Sequence, residues 1–313
     1  MSELSVSVVI PARDAARTIE ATVQSVLEQT SPAQEILVVD DGSTDDTRLR
    51  LERFAGHLTV LFGPGRGVAA ARNLALRHAG SQWVALIDAD DRWMPQLLAR
   101  ARARIQVTPT AVACFCAARP VDPDGRVIGR HEMEQSVTLR DLLSGRIVPT
   151  TSASLIRRDA ALAQGGFNEG FRRPAGAEDL DLWWRLAAVG SCVGVSESCA
   201  VYVVDDGRDA RRPVDQLLEL ERDREEVVDR LRDRGDASGA LLRLARAQIR
   251  SGSARYWLRA GHRPPARAVA LRSVMARPTA SGLLTLAVAF APSWVHRAAV
   301  ATRRRLRSES ADA

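Results

Sequence analysis

Three acidic clusters stand out in this chain of 313 residues: Asp40-Asp41, Asp88-Ala89-Asp90-Asp91 and Glu178-Asp179-Leu180-Asp181. Carboxylates grouped in this way can hold a hard divalent cation, accept hydrogen bonds from a ribose or base, or take a proton in a displacement reaction. Each cluster also has a structural alternative, because Asp caps helices and closes turns. Asp88-x-Asp90 is the strongest local signal. In an extended turn, two carboxylates spaced by two present oxygens to Mg²⁺ or Mn²⁺ while still reaching a ribose or phosphate. The alternative there is an N-cap for a helix starting near Met94, a role Asp91 can take instead.

The elements that must position these groups follow from the hydrophobic pattern. Ser5–Ile10, Glu35–Val39, Leu58–Phe62 and Trp83–Ile87 are short apolar strands. Between them Arg17–Gln29, Thr44–Phe54 (with Thr44 or Asp45 as N-cap) and Gly67–Ala79 have helical spacing. Continuous apolar strands separated by helices predict a parallel sheet buried on both faces. Ligands on such sheets bind at the carboxyl ends of the strands, and two of the Asp clusters sit there. Met94–Ile105 and Glu178–Val189 read as further helices, and Ala111–Ala118, Ser152–Ile156, Cys192–Val195 and Ala200–Val204 as strands. From Val214 onward the pattern is helical, with breaks expected near Ser251–Ser253, His262–Pro265 and Pro278.

Hydrophobic residues make up 46% and charged residues 26% of the chain, which excludes a disordered or collagenous protein. There is no lysine; all 44 basic residues are arginine. Residues 241–307 hold 14 of them and no acid, with only Glu309 and Asp312 following. Residues 1–240 therefore keep 30 arginines against 36 acids, a net charge of −6. An acidic body with a basic C-terminal segment indicates two modules. Of the four cysteines none forms a C-x-x-C pair, and Cys114 and Cys116 share one face of an apolar strand, which fits burial better than a metal site. Met1–Ile10 carries no basic n-region, and Pro11 ends its apolar run, so no secretory signal and a reducing cytosol are expected.

Taken together, five segments resemble the inverting GT-A glycosyltransferases of glycosyltransferase family 2. They are VSVVIPARDAARTIEATVQSVLEQ at 6–29, EILVVDDGSTDDT at 35–47, GRGVAAARNLAL at 65–76, WVALIDADDRWMP at 83–95 and GAEDLDLWWRLAAVG at 176–190. They occur in the family's order and span about two thirds of the chain. The resemblance implies a Rossmann-like α/β GT-A catalytic domain over 1–206 and an Arg-rich α-helical appendage over 214–313. It also implies a divalent metal (Mn²⁺ or Mg²⁺) as cofactor and a nucleotide-sugar, a UDP-sugar, as donor. Pro11, Arg13 and Asp14 then lie along the base and ribose, although Arg13 and Asp14 depart from the aromatic-or-His plus Asn usual there. Asp41 matches the carboxylate that accepts a hydrogen bond from uracil. Arg72 matches a basic position near the nucleotide, its alternative being a solvated helix face. Asp90 is the expected metal ligand, with Asp88 nearer the ribose. Asp179 matches the general base, and its neighbour Glu178 points about 100° away. Asp205 falls where the family commonly has a His as third metal ligand.

The acceptor implied is a hydroxyl on a glycan or a lipid-linked carrier. Absence of the Q-x-x-R-W signature favours single additions. A receiver domain needs a pocket lysine, and this chain has none. A sugar-nucleotide nucleotidyltransferase begins with a Gly-rich basic loop, which Pro11-Ala-Arg-Asp14 is not. A catalytically impaired nucleotide-sugar binding protein is the other alternative. No nucleic-acid module is recognisable in the Arg-rich tail. Gly282–Val295 is apolar but only 14 residues long, too short to span a bilayer. It either packs its Leu, Val and Phe on the catalytic domain or attaches the protein to an anionic membrane surface. In the second case Leu283, Leu284, Phe290 and Trp294 act with Arg303, Arg304, Arg305 and Arg307, and the cytoplasmic enzyme sits at the inner face of the cell membrane.

Overall fold

β-Branched residues with no polar interruption make β1 (Val6–Ala12) a strand buried along its whole length. In the computed structural model, which describes residues 4–129, 132–171, 177–204 and 213–292, it is the centre of a parallel half-sheet. On one side it pairs with β2 (Glu35–Asp40), and β2 pairs with β3 (Thr59–Phe62). On the other side it pairs with β4 (Trp83–Leu86). The register sets Ala12 opposite Asp40 and Val9 opposite Leu86, so the acidic turns after β2 and β4 emerge at one edge. Val6, Val8 and Ile10 turn to a core shared with α1 (Ile19–Leu27) and α4 (Leu97–Gln106), while α3 (Val68–His78) packs on β1 and β2. β1, β2 and β4 are parallel and buried on both faces, as their apolar runs predict, whereas the edge strand β3 leaves Thr59 and Phe62 exposed.

The rest of the sheet, whose strand directions the apolar pattern left open, is mixed. The strand order is β3-β2-β1-β4-β8-β6-β9-β5, with β6 (Ala111–Val121) and β8 (Ser154–Arg157) joining antiparallel to each other and β8 antiparallel to β4. The two stretches read separately as Cys192–Val195 and Ala200–Val204 are one strand, β9 (Ser191–Val203). The two-residue strands β5 (Arg92–Trp93) and β7 (Ser136–Val137) pair along it. The polar Ser196-Glu197-Ser198 that suggested a break faces outward or is half-buried in a ladder that simply continues. All four cysteines are free and buried.

Helix starts differ in two places. α2 (Thr47–Glu52) begins three residues after Thr44, with Asp46 at its N-cap, because Asp45 spends a carboxylate oxygen on the Thr47 amide at 2.9 Å. α4 begins at Leu97, and Asp91 does not cap it. The remaining elements of this unit are α5 (Leu139–Ser144), α6 (Arg158–Ala163) and α7 (Glu178–Val189).

Two compact units divide the chain: Met1–Pro120, Gly129–Leu142 and Ile147–Val203 form one, and Val121–Ile128, Leu143–Arg146 and Val204–Ala313 the other. The second contains α8 (Val214–Asp233), α9 (Gly239–Arg259), α10 (Arg263–Ala276) and α11 (Ala280–Phe290). α9 runs through Ser251–Ser253, where a break was expected. Ser251 and Ser253 are buried, and Ser251 meets the Thr285 hydroxyl at 3.0 Å, so the serines serve as helix-contact residues.

Candidate active site

β8 runs antiparallel to β4 with Ser154 opposite Leu86, so its amino end meets the carboxyl end of β4. That brings the short 3₁₀ turn Thr151–Ala153 against the Asp88–Asp91 turn. The Asp88 amide donates to Ser152 Oγ at 3.1 Å, and the Ser152 hydroxyl donates to the Asp91 carboxylate. Trp93 Nε1 donates to the Ser152 carbonyl at 2.5 Å. From α1, the Thr22 hydroxyl reaches the carbonyls of Ala89 and Asp91 at 2.9 and 2.8 Å. The turn is therefore held by hydroxyls on two other elements. Asp91 is buried and accepts the Val203 amide at 3.0 Å; burial above all, and then the charge of Asp88, pushes its carboxyl well above the usual range. Its role is to brace the turn. Asp90 is exposed, and Asp88 is 36% exposed.

Arg72 joins the second acidic cluster to the third. It is 4% exposed, donating from Nη2 to Asp88 Oδ1 at 2.7 Å and from Nη1 to Glu178 Oε1 at 3.1 Å. Its guanidinium also lies 5.4 Å from the Phe167 ring centroid. A solvated helix face is thus excluded for Arg72. Burial alone would lower its pKa, but the charges of Asp88 and Glu178 outweigh this and raise it, so it stays a cation. The next residue, Asn73, fixes the helix that carries it. Its Nδ2 donates to the Phe167 carbonyl at 2.8 Å and to Glu169 at 2.9 Å, and its Oδ1 accepts the Phe167 amide at 2.8 Å.

Glu178 and Asp179 open α7 and face differently. Glu178 is buried against Arg72, whereas Asp179 is half-buried and accepts the Thr151 hydroxyl at 2.9 Å. Burial, then the neighbouring Glu178 charge, raises the Asp179 carboxyl; Arg72 and the Thr151 hydroxyl oppose the shift. A carboxylate with a raised pKa is a better proton acceptor than an ordinary surface aspartate.

On the β1–β2 side the carboxylates organise loops. Asp41 is buried, its Oδ1 accepting the Gly65 amide at 2.8 Å and its Oδ2 the Gly67 amide at 2.6 Å, just ahead of α3. Gly67 has φ +101°, and a Cβ on Gly63 would come within 2.6 Å of Asp41 Oδ1, so glycine is favoured at both. Each Asp41 oxygen retains a second lone pair for a ligand donor. Asp14 has φ +49°, and its carboxylate accepts the Thr44 amide at 2.7 Å and hydroxyl at 3.1 Å. The Thr44 amide, ahead of its hydroxyl, holds the Asp14 carboxyl below the usual range. Pro11 is buried in β1, and Arg13 is exposed beside it.

The structure therefore brings Arg72, Asp88, Glu178 and Asp179 into one network, with Asp90 beside it and Asp41 at the neighbouring strand end. Asp205 lies outside the described residues. Sequence reading missed Thr22, Asn73, Thr151, Ser152 and Phe167. Only the polar run Thr150-Thr151-Ser152 before an apolar strand gave a signal that could have found two of them.

This fold and this carboxylate network define a GT-A glycosyltransferase. A model of the family "Glycosyl transferase family 2" matches residues 7–170, and the chain belongs to that family. The succinoglycan biosynthesis protein ExoU of Rhizobium meliloti is 32% identical over 238 residues, covering 70% of this chain and 68% of its own length. Over 100 residues, 31% of this chain, the Escherichia coli enzyme WfgD is 38% identical; it is a UDP-Glc:α-D-GlcNAc-diphosphoundecaprenol β-1,3-glucosyltransferase, and the match spans 40% of its length. Among solved structures, S. aureus TarS 1–349 in complex with UDP-GlcNAc superposes with a TM-score of 0.64 at 19% identity, covering 91% of this chain and 90% of that one. The mannosyltransferase PcManGT of Pyrobaculum calidifontis, in complex with GDP-Man and Mn²⁺, gives 0.59 at 22% identity, covering 98% and 84%.

Proposed function

We propose that this glycosyltransferase is inverting, metal-dependent and non-processive, moving a sugar from a UDP-sugar to a hydroxyl of a lipid-linked acceptor in cell-surface glycan synthesis. The observation that carries the reading is the division of labour at the start of α7: Glu178 is committed to Arg72, and Asp179 keeps a half-buried carboxylate of raised pKa. Asp179 takes the acceptor hydroxyl's proton as that oxygen forms its bond to the anomeric carbon. The bond from that carbon to the diphosphate oxygen breaks, the nucleoside diphosphate leaves, and one displacement inverts the configuration. Arg72 holds Asp88 and Glu178 at fixed spacing and adds positive charge beside the donor phosphates. Asp41, Asp14, Arg13 and Pro11 line the nucleotide side, with Asp88 toward the ribose.

Among the described residues no group of three His, Cys, Asp or Glu is arranged as a metal site. The donor set fits a hard cation nonetheless: Asp90 is an exposed carboxylate next to Asp88, and such ions complete their shells with substrate phosphates and water. Asp90, with Asp88 and Asp205, would hold Mn²⁺ or Mg²⁺, which when bound neutralises charge growing on the leaving diphosphate. The lipid-linked acceptor draws support from WfgD, whose name specifies a diphosphoundecaprenol carrier. The catalytic domain is assigned to residues 1–206 and the helical region to 214–313, the enzyme working at the cytoplasmic face of the membrane.

Thermal shift with UDP and Mn²⁺, and release of UDP from UDP-sugars, test this reading together. Wild-type protein is expected to respond to UDP only with metal, and Asp90→Asn to lose the metal-dependent part with its fold intact. Unchanged Mn²⁺-dependent affinity in Asp90→Asn would sink the metal assignment. Donor binding without any transfer or hydrolysis would point to an impaired binding protein.

A further inference from the structure

α11 is built inside-out. The residues it buries are Gly282, Thr285 and Ala289, flanked by half-buried Leu286 and Val288. The residues it exposes are Leu283 (51%), Leu284 (67%) and Phe290 (58%), with Ala280 and Ala287 between them. At about 100° per residue these five positions form one continuous apolar face. A helix of a water-soluble bundle does the reverse. Small residues and hydroxyls at the helix contact, with large aliphatics outward, is the arrangement of helices whose solvent is lipid. The hydroxyl contacts are present: Ser251 and Thr285 meet at 3.0 Å, and Arg255 donates to both Ser251 and Ser281 at 3.0 Å.

Charge identifies which lipid. From Gly239 to Phe290 the chain holds nine arginines and no acid. Arg246, Arg250 and Arg272 are neutralised by Glu225, Asp229 and Glu221 of α8. Arg263 and Arg267 instead spend donors on α11 itself, and Arg255 divides its own between Ser251 of α9 and Ser281 of α11. Arg263 reaches the carbonyls of Val288 and Ala289 at 3.3 and 3.2 Å, and Arg267 reaches that of Ala289 at 3.0 Å, with its guanidinium 5.1 Å from the Phe290 ring centroid. These contacts cap the helix without cancelling the charge. The pKa of Arg255 is lowered by burial first and then by Arg259 and Arg224, as expected in a crowded positive field.

We propose that the exposed face of α11 docks on an anionic phospholipid surface, with Leu283, Leu284 and Phe290 entering the acyl boundary and the flanking arginines meeting headgroup phosphates. With eleven residues the helix is about 16 Å long, too short to cross a bilayer of ~30 Å; among the described residues no helix is long and apolar enough to cross a membrane. Attachment is therefore interfacial and reversible. A second copy of the chain is a poorer occupant, because a shared α11 face brings the same arginines of two copies together. The inference rests on the lipid-linked acceptor reading only for its purpose.

The test is co-sedimentation of the full-length chain with phosphatidylglycerol vesicles and with phosphatidylcholine vesicles, at low and high salt, alongside its oligomeric state without lipid. Binding to phosphatidylglycerol, weakened by salt and absent on phosphatidylcholine, is expected. The L283Q/L284Q/F290Q variant should partition roughly 1,000-fold less, since each of the three apolar side chains withdrawn costs on the order of tenfold. Its thermal response to UDP should match wild type, which verifies its fold. Absence of vesicle binding, or equal binding by the variant, overturns the proposal. So does a lipid-free dimer that the variant abolishes. Vesicle binding by a protein indifferent to UDP would support it while overturning the donor reading.

Discussion

Successive residues of a helix point about 100° apart, so Glu178 and Asp179 meet different surroundings at the start of α7. Glu178 turns into the buried guanidinium of Arg72, and Asp179 turns toward the Thr151 hydroxyl. The sequence alone carried the Glu-Asp pair but not which member is enclosed. That depends on a cation 106 residues away in sequence. The raised carboxyl of Asp179 has a consequence for pH. The native state keeps this proton to higher pH than the unfolded chain, so its stabilising contribution exists below about pH 3.8 and is lost as pH rises through the raised value. At neutral pH the ionised group is a cost to stability that the reaction uses. Asp179→Asn should lower kcat by ~10²-fold or more while leaving donor binding in place. Its melting temperature at pH 7 should be no lower than wild type. In the wild-type enzyme the acid limb of kcat/KM should lie above the ordinary aspartate range. A dead Glu178→Gln beside an active Asp179→Asn would reverse the assignment.

At the scale of elements, strand-forming runs and the acidic turns after them were legible because both are local. Apolar continuity fixes a buried strand, and Asp-Asp-Gly or Asp-x-Asp-Asp must follow at its end. What was not legible came from pairing at a distance. The antiparallel entry of β8 delivers Ser152 and Thr151 to carboxylates on two other elements, and no spacing in the sequence announces it. The break expected in α9 failed for a related reason, since Ser251 answers hydroxyls on α11. Asn73 gives this dependence a test. Its three hydrogen bonds tie α3, and with it Arg72, to the stretch Phe167–Glu169. Asn73→Ala leaves the Phe167 amide and carbonyl short of partners and should cost roughly 1–3 kcal/mol in urea unfolding. Hydrogen exchange should show the loss as faster opening around residues 165–171. Unchanged protection there would mean that the loop is held by its other contacts.

For the whole molecule the two charge regimes have separate work. Every described residue of the candidate site lies in the α/β unit, and residues 1–203 hold 22 arginines against 24 acids, so the chain up to there offers no net positive charge to an anionic surface. The acid-free run of arginines lies in the helical unit, where α11 turns Leu283 and Leu284 outward. The asymmetry was legible from composition, whereas the direction in which α11 faces was not, because its eleven residues contain no charge to mark a solvent side. If surface attachment serves to bring the enzyme to acceptors embedded in a bilayer, its benefit is one of local concentration and not of chemistry. The L283Q/L284Q/F290Q variant should therefore lose turnover on an acceptor held in phosphatidylglycerol vesicles, in proportion to its lost vesicle binding. On a water-soluble analogue carrying the same sugar hydroxyl it should retain wild-type kcat/KM. Equal losses on both acceptors would mean that α11 supports the catalytic unit directly, and equal activity on both would separate membrane attachment from the reaction.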